Sequence, residues 1–121
     1  AVEEVQVDIE LDGGFSDGAA LPIVKVQPSY PRRAQERGLS GWVLVQFDVS
    51  PQGAVTAPVV IQNCASSKSS DVCEDSPSSI FDRAAQQAVA KFRYKPKVQN
   101  GTPVAMYGMV NRIEFQMEGV D

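Results

Sequence analysis

Two segments of alternating apolar and polar residues, joined by a short turn, constrain the fold more than any other feature of the sequence. Every second position is apolar in residues 42–50, and residues 55–61 repeat the pattern after Pro51-Gln52-Gly53. A period of two is typical of a strand with one buried face, so the pair predicts a hairpin. The apolar positions are Val43, Val45, Phe47 and Val49 in the first strand, and Val55, Ala57, Val59 and Ile61 in the second.

A third alternating segment, residues 104–117, predicts a long final strand. Gly108 predicts a bulge in this strand, and Asn111 interrupts its apolar face. The apolar face consists of Tyr107, Met109, Ile113, Phe115 and Met117, opposite Arg112, Glu114 and Gln116.

Two helices are predicted between these strands and before them. Pro31 and Gly38 bracket a short helix, because proline is tolerated in a first helical turn and glycine ends helices. A longer helix is predicted from a cap at Ser76 or Ser78 to about Lys91. Its apolar rows are Ile80, Ala84 and Ala88, and next to them Phe81, Ala85, Val89 and Phe92.

The order of these elements predicts an α+β fold, with two helices packed on one face of a three-stranded antiparallel sheet that has two open edges. Ahead of it, alternating residues 4–11 predict an extra N-terminal strand or arm, and the prolines of residues 21–28 favour extended backbone. We therefore divide the chain into an acidic N-terminal arm, residues 1–20, and a domain, residues 21–121.

Composition and charge exclude several classes of function. Hydrophobic residues make up 43% and charged residues 21% of the 121 residues, which is typical of one globular domain. The net charge of −4 lacks the basic footprint of nucleic-acid-binding proteins. The sequence has no histidine, the commonest general base and metal ligand, so we predict no catalytic residue, no metal and no cofactor. A disulfide-stabilised enzyme is the alternative; it would need an acid pair in a cleft, drawn from Asp48, Glu114 and Glu118.

Cys64 and Cys73 flank a polar stretch that predicts a loop. Their spacing is not that of a C-x-x-C redox motif, and no histidine is available to complete a zinc site. A structural disulfide is therefore favoured over two free thiols, and it indicates an oxidising compartment.

Several motifs resemble those of a known family. The segment Gln27-Pro28-Ser29-Tyr30-Pro31-Arg32-Arg33-Ala34 resembles the QPxYPxxA start of the TonB C-terminal domain. The resemblance continues in order through residues 38–43, 47–55, 81–85, 91–96 and 101–104.

The resemblance implies the periplasmic end of an energy transducer in a Gram-negative bacterium, held at the inner membrane by a missing N-terminal anchor and a proline-rich spacer. The implied partners are ExbB and ExbD, through that missing region, and outer-membrane TonB-dependent transporters of siderophores, haem or vitamin B12. The N-terminal peptide of a transporter would join the domain by strand addition, since an open antiparallel edge presents unpaired backbone groups.

The resemblance also implies which residues touch the transporter, namely the segment at residues 27–32 and the docking edge within residues 104–117. The predicted contacts are Gln27, Pro28, Ser29, Tyr30, Pro31, Arg32, Val104, Met106, Met109, Val110, Asn111, Arg112 and Ile113. From the residues alone an inward-packed Tyr30 is favoured, whereas the resemblance favours a contact. The core aromatic residues are predicted to be Phe47, Phe92, Tyr94 and Phe115.

Further alternatives accompany this interpretation. A TonB-like or TolA-like interaction domain of another envelope assembly would share the fold but not the transporter. The oligomeric state is open between a monomer and a strand-exchanged dimer. The alternation Glu4-Val5-Gln6-Val7 is similar to the peptide that transporters present, which suggests that the arm pairs with an edge of the sheet and either completes it or shields the docking strand.

Overall fold

A computed structural model of the chain describes residues 21–68, 73 and 77–117. The predicted N-terminal arm, the predicted cap at Ser76 and the carboxylate of Glu118 lie outside these residues. The elements, in chain order, are β1 (Leu21–Val24), α1 (Arg32–Arg37), β2 (Ser40–Val49), β3 (Val55–Ser66), α2 (Asp82–Ala90), β4 (Arg93–Lys95), β5 (Lys97–Gln99), β6 (Thr102–Val104) and β7 (Met106–Phe115).

The described residues form an α+β fold with two helices and antiparallel sheets, and the central sheet has the order β3-β2-β7. The predicted hairpin of β2 and β3 is confirmed, with a register that runs from Val49 opposite Val55 to Ser40 opposite Ser66. The predicted loop at Cys64 was wrong in one respect, because β3 continues through Cys64 to Ser66. The first residues of β2 pair with this polar end, so backbone pairing outweighs its polar composition.

The core contains residues of the central sheet and of both helices. The alternating residues Val43, Val45, Phe47 and Val49 of β2 are all at most 1% exposed, as predicted for the strand in the middle of the sheet. The cluster also contains Ala34 from α1, Ala85 and Val89 from α2, and the predicted core aromatics Phe92, Tyr94 and Phe115. The predicted apolar faces of β2 and α2 are thus buried together.

The predicted apolar face of β3 was wrong beyond its first residue. Ala57 has a positive φ of 53°, and the register of β3 against β2 shifts twice. These irregularities displace the alternation, so that Val60 packs against the core while Val59 and Ile61 are 54% and 49% exposed.

The two helices differ in the residues and hydrogen bonds found at their ends. α1 begins after Pro31 and ends at Gly38, whose φ of 65° gives the left-handed C-cap that the sequence predicts. α2 begins at Asp82, later than predicted, and Phe81 at its N-cap makes no side-chain capping hydrogen bond. Ser78, one of the two predicted caps, lies just before the helix, where its Oγ accepts the Ile80 N–H at 3.3 Å and its own backbone N–H donates to Asn63 Oδ1 at 2.9 Å.

Four short strands add two small antiparallel sheets that the sequence did not predict. β1 pairs with β4, so the segment before α1 is fastened beside the end of α2. β5 and β6 form a hairpin around Asn100 and Gly101, both at positive φ. Asn-Gly is the residue pair that a tight hairpin turn of this geometry favours.

The disulfide favoured by the sequence joins Cys64 and Cys73. Its reduction is expected to lower the free energy of unfolding by about 2.5–3 kcal/mol, because the bond restricts a loop of about ten residues in the unfolded chain. Urea unfolding with and without reductant measures the change. The double variant Cys64→Ala/Cys73→Ala, insensitive to reductant, is the control. Equal stability of the oxidised and reduced wild type would contradict the prediction.

Candidate functional site: the β7 edge

β7 is the final strand of the chain's central sheet and contains most of the predicted docking edge. It pairs with β2 from Phe115 opposite Gly41 to Met106 opposite Val49. The predicted bulge at Gly108 is confirmed by its φ of 71° and by the register shift of β7 against Phe47 and Val49. The Gly108 N–H donates to Asp48 Oδ1 at 3.0 Å, which fixes this bend to the central strand.

The bulge changes which side chains face inward. Tyr107 was predicted on the apolar face, but it is 77% exposed because the extra residue at the bulge reverses the alternation. Beyond the bulge the prediction holds, since Met109 packs against the core and Ile113 and Phe115 are buried. Val104 belongs to β6, where it pairs with Lys97, so the observed final strand is shorter than predicted.

Within the part of the chain that the structure describes, the outer side of β7 is an edge of the central sheet. β2 pairs with one side of β7, and no strand within residues 21–68 and 77–117 pairs with the other. Exposed edges of this kind offer backbone N–H and C=O groups to another extended chain. The side chains of Val110 and Arg112 are exposed on the face of β7 opposite the core.

The strand at the opposite edge of the sheet, β3, makes polar contacts with α2 and the segment before it. The Gln86 side chain donates from Nε2 to the Pro58 carbonyl at 3.1 Å. Asn63 Nδ2 donates to the Asp82 carboxylate at 3.1 and 3.2 Å. Pro58 has no N–H to donate, so a second chain would find a broken ladder there. Among the described residues, the two edge strands therefore differ in their contacts with α2.

The polar residue that interrupts the apolar face of β7, Asn111, joins three elements. Its amide lies 3.1 Å from the Tyr94 hydroxyl, and in the orientation that satisfies its neighbours Oδ1 accepts from Tyr94 and, at 3.3 Å, from Lys25 Nζ. Its Nδ2 then donates to the Val110 carbonyl at 3.1 Å. Lys25 Nζ also lies 5.5 Å from the centroid of the Phe92 ring. Asn111 thus ties β7 to β4 and to the segment before α1.

Burial alters the acid–base chemistry of this cluster. It lowers the pKa of Lys25 from its ordinary 10.5 to about 8. Burial also raises the pKa of the Tyr94 phenol, while the hydrogen bond with Asn111 lowers it in part. Lys25 is therefore the member of the cluster whose charge changes closest to neutral pH.

The pKa of Lys25 predicts that stability increases with pH. Because the folded-state pKa of about 8 is below the ordinary 10.5, the unfolded chain binds more protons between these values. The unfavourable effect of charged Lys25 is complete below pH 8 and disappears as pH rises to 10.5. We expect the unfolding free energy of wild type, relative to Lys25→Met, to increase over this range. The control Lys25→Arg keeps its charge and should show no such increase; parallel wild-type and Lys25→Met curves would contradict the prediction.

The predicted contact segment at residues 27–32 is only partly on the surface. Pro28 is buried and Pro31 is half-buried, while Gln27, Ser29 and Arg32 are exposed. Tyr30 is 9% exposed, and its hydroxyl donates to the Leu39 carbonyl. Its ring lies edge-on to Phe81 and Phe115, at centroid distances of 5.6 and 5.7 Å. Tyr30 is therefore a core side chain, the outcome that its residue pattern alone favoured, and its contact with a transporter stays a prediction.

The remaining predicted contact residues in β7 differ in how deeply their side chains are buried. Met106, Met109 and Asn111 are half-buried, and Ile113 is fully buried. Ile113 can therefore contribute to an edge only through its backbone. Two residues near β7, Lys25 and Trp42, were not predicted as site residues. No sequence pattern distinguishes Lys25. Trp42 could have been noticed, because it is an aromatic residue at one of the β2 positions whose side chains point away from the core.

Two other kinds of site, a metal site and a membrane-spanning helix, were also sought among the described residues. Within residues 21–68, 73 and 77–117 no three histidine, cysteine, aspartate or glutamate side chains are grouped to hold a metal ion. The helices in the same part of the chain are too short to cross a bilayer.

Comparison with known proteins identifies the family of the chain. Residues 26–117 match the family model described as Gram-negative bacterial TonB protein C-terminal. The chain belongs to the TonB C-terminal domain family. The resemblance seen in the sequence is therefore confirmed, and it includes both β7 and the segment before α1.

Relatives and solved structures agree with this assignment. The chain is 36% identical over 93 residues to TonB of Pseudomonas aeruginosa and 33% identical over 99 residues to TonB of Klebsiella pneumoniae. These matches include 77% and 82% of this chain but only 24% and 33% of the relatives, so the chain spans a third or less of their length. The relatives carry the name TonB and no enzyme name.

The solution structure of the Pseudomonas aeruginosa TonB C-terminal domain is similar, with a TM-score of 0.64 and 32% identity. The similarity covers 89% of this chain and 94% of that one. The TonB2 protein of Vibrio anguillarum matches with a TM-score of 0.53 and 27% identity, over 93% of each chain.

Proposed function

We propose that this TonB C-terminal domain binds the N-terminal peptide of outer-membrane TonB-dependent transporters by adding it as a strand to β7. The domain then acts as the periplasmic end of an inner-membrane-anchored energy transducer. ExbB and ExbD supply proton-driven energy through the region that precedes the domain. Uptake of siderophores, haem or vitamin B12 is the process it would serve.

The observation that carries this proposal is the difference between the two sheet edges. At β3, Gln86 occupies the Pro58 carbonyl, and Pro58 itself lacks a donor. Among the described residues, one side of β7 pairs with β2 and no strand pairs with the other side. An added strand would therefore meet fewer obstacles at β7.

The geometry of β7 also suits transmission of force. A peptide paired with this strand holds it through several backbone hydrogen bonds that share the load along the strand direction. β7 is in turn fixed to the body by its register with β2, the Asp48 bond to Gly108 and the Asn111 cluster. Pulling on the peptide would load these attachments together. Backbone pairing also tolerates differences in peptide sequence, which suits a domain that serves several transporters.

Isothermal titration with a synthetic peptide from a transporter N-terminus tests the proposal. The wild-type peptide should bind, and a matched peptide with proline placed mid-strand should not, because proline lacks the N–H that the ladder needs. Equal binding of both peptides would contradict strand addition. Absence of binding to peptides from several transporters would contradict the transducer function.

A further inference from the structure

A small exposed face that combines basic and apolar side chains is formed by β1 and β4. Arg93 and Lys95 of β4 are exposed and Tyr94 between them is buried, so the two basic side chains point away from the core. The register places Val24 of β1 opposite Arg93, and Leu21 opposite Lys95. Opposite residues of an antiparallel pair share a face, so an apolar strip from β1 lies beside a basic strip from β4.

The apolar strip is exposed to solvent. Ile23 is 65% exposed and Val24 is 45% exposed, while Leu21 is half-buried. The register of β1 against β4 shifts between Pro22 and Val24, at the position of Ile23. A segment that covered these aliphatic side chains would gain free energy by removing apolar surface from water.

The basic strip has no acidic residue near it in the sequence. Four of the seven residues 91–97 are basic, and residues 83–113 contain no aspartate or glutamate. The Arg93 guanidinium donates from Nη1 to the Phe92 carbonyl at 2.9 Å, which is a neutral acceptor and does not compensate its charge. A segment with both acidic and apolar side chains would therefore complement the two strips of this face.

The chain contains such a segment directly ahead of β1. Residues 1–20 include six acidic residues and no basic residue. Within them, residues 4–11 alternate polar and mostly acidic side chains with aliphatic ones. Alternate residues of an extended segment point to opposite sides, so one side of residues 4–11 is acidic and the other is apolar.

The covalent connection favours this segment over a separate partner. Glu10 and Leu21 are 11 residues apart, a length that spans at most about 40 Å when fully extended, and the three residues of β4 span about 10 Å. The glycines within residues 13–18 permit the chain to reverse direction. A short flexible connection holds its two ends at an effective concentration in the millimolar range, so that weak ion pairs and a small apolar contact suffice for docking.

We propose that the acidic N-terminal arm, residues 1–20, folds back onto the exposed face of β1 and β4. Its aliphatic side chains cover Ile23 and Val24, and its carboxylates pair with Arg93 and Lys95. The arm then occupies β1 and β4 and leaves the open side of β7 to an added strand. The inference does not require that a transporter peptide binds.

Nuclear Overhauser contacts in the isotope-labelled full chain test the inference. At low salt, methyl groups of residues 5–11 should contact those of Ile23 and Val24. The ratio of docked to free arm, followed by the methyl chemical shifts of Ile23 and Val24, should fall at least about threefold in Arg93→Glu/Lys95→Glu, as expected for the loss of exposed ion pairs. The substitutions Asp8→Lys/Glu10→Lys should lower the ratio similarly, and the chain that carries all four substitutions should recover it.

Matched variants separate the proposed contact from a general effect of charge. Arg33→Glu/Arg37→Glu reverses two exposed basic side chains on α1 and should leave the ratio unchanged. If Arg93→Glu/Lys95→Glu does not fold, Arg93→Gln/Lys95→Gln removes the same charges without reversing them and should still lower the ratio.

Several results would overturn the inference. One is contact of the arm with α1 or β7 instead of β1, and another is an arm that makes no contact, which would leave this face to a separate anionic partner. A ratio that neither Arg93→Glu/Lys95→Glu nor Arg93→Gln/Lys95→Gln lowers would also overturn it. Failure of the four combined substitutions to recover docking would do the same.

Discussion

Phe81→Ala should lower the free energy of unfolding by about 3–5 kcal/mol, the loss expected when a large buried aromatic ring is removed. Phe81 is fully buried and stacks on Phe115 at a centroid distance of 4.4 Å, with Tyr30 edge-on at 5.6 Å. The three rings join the start of α2, the end of β7 and the segment before α1. Urea unfolding followed by circular dichroism measures the change.

A matched substitution nearby controls for the helix end itself. Ile80 is adjacent in sequence but only half-buried, so Ile80→Ala should cost clearly less than Phe81→Ala. If Phe81→Ala does not fold, Phe81→Leu retains most of the apolar volume and should cost about 1.5 kcal/mol or less. A loss below about 1 kcal/mol for Phe81→Ala would contradict the placement of this ring at the centre of the core.

A second large effect is expected from proline in β7. In an antiparallel strand, alternate residues direct both backbone groups toward the neighbouring strand or away from it. Of the adjacent residues Val110 and Asn111, one therefore points to β2 and the other to the open side. Proline at the residue that points outward should leave the domain folded and weaken peptide binding by at least about tenfold, because a donor is lost and the ring obstructs approach.

Proline at the other residue of the pair should instead disrupt the ladder with β2 and destabilise the domain. Val110→Ala and Asn111→Ala are the side-chain controls, and thermal unfolding and peptide titration are the two measurements. One folded variant that does not bind is the expected outcome. Two folded variants that bind as well as their alanine controls would contradict docking at β7.

The predicted and observed structures agree where one physical pattern determines the outcome. Strict alternation in β2 identified Val43, Val45, Phe47 and Val49, because a central strand with one covered face has no other way to bury them. Pro31 and Gly38 located α1, because each residue has a strong backbone preference at a helix end. Gly108 marked the bulge for the same reason.

Agreement ends where tertiary contacts override local pattern. The alternation of β3 is continuous in the sequence, yet Ala57 at positive φ shifts it and exposes Val59 and Ile61. The sequence indicated the bulge at Gly108 but not that the bulge would turn Tyr107 away from the inner face. The size of a register shift depends on the partner strand, which the local pattern does not describe.

The candidate site was predictable in outline and not in detail. The family motifs located β7 and the segment before α1, but the burial of Tyr30 depends on the rings of Phe81 and Phe115, which are distant in sequence. The contacts of Gln86 and Asp82 with β3 likewise depend on how α2 lies against that strand. No local pattern encodes either contact.

The most direct test of the central claim is to measure nuclear Overhauser contacts between an isotope-labelled domain and a bound transporter peptide. Strand addition at β7 predicts interstrand contacts between peptide backbone protons and those of Met109 to Ile113, with β3 unaffected. Contacts with β3, or with side chains alone, would contradict the account.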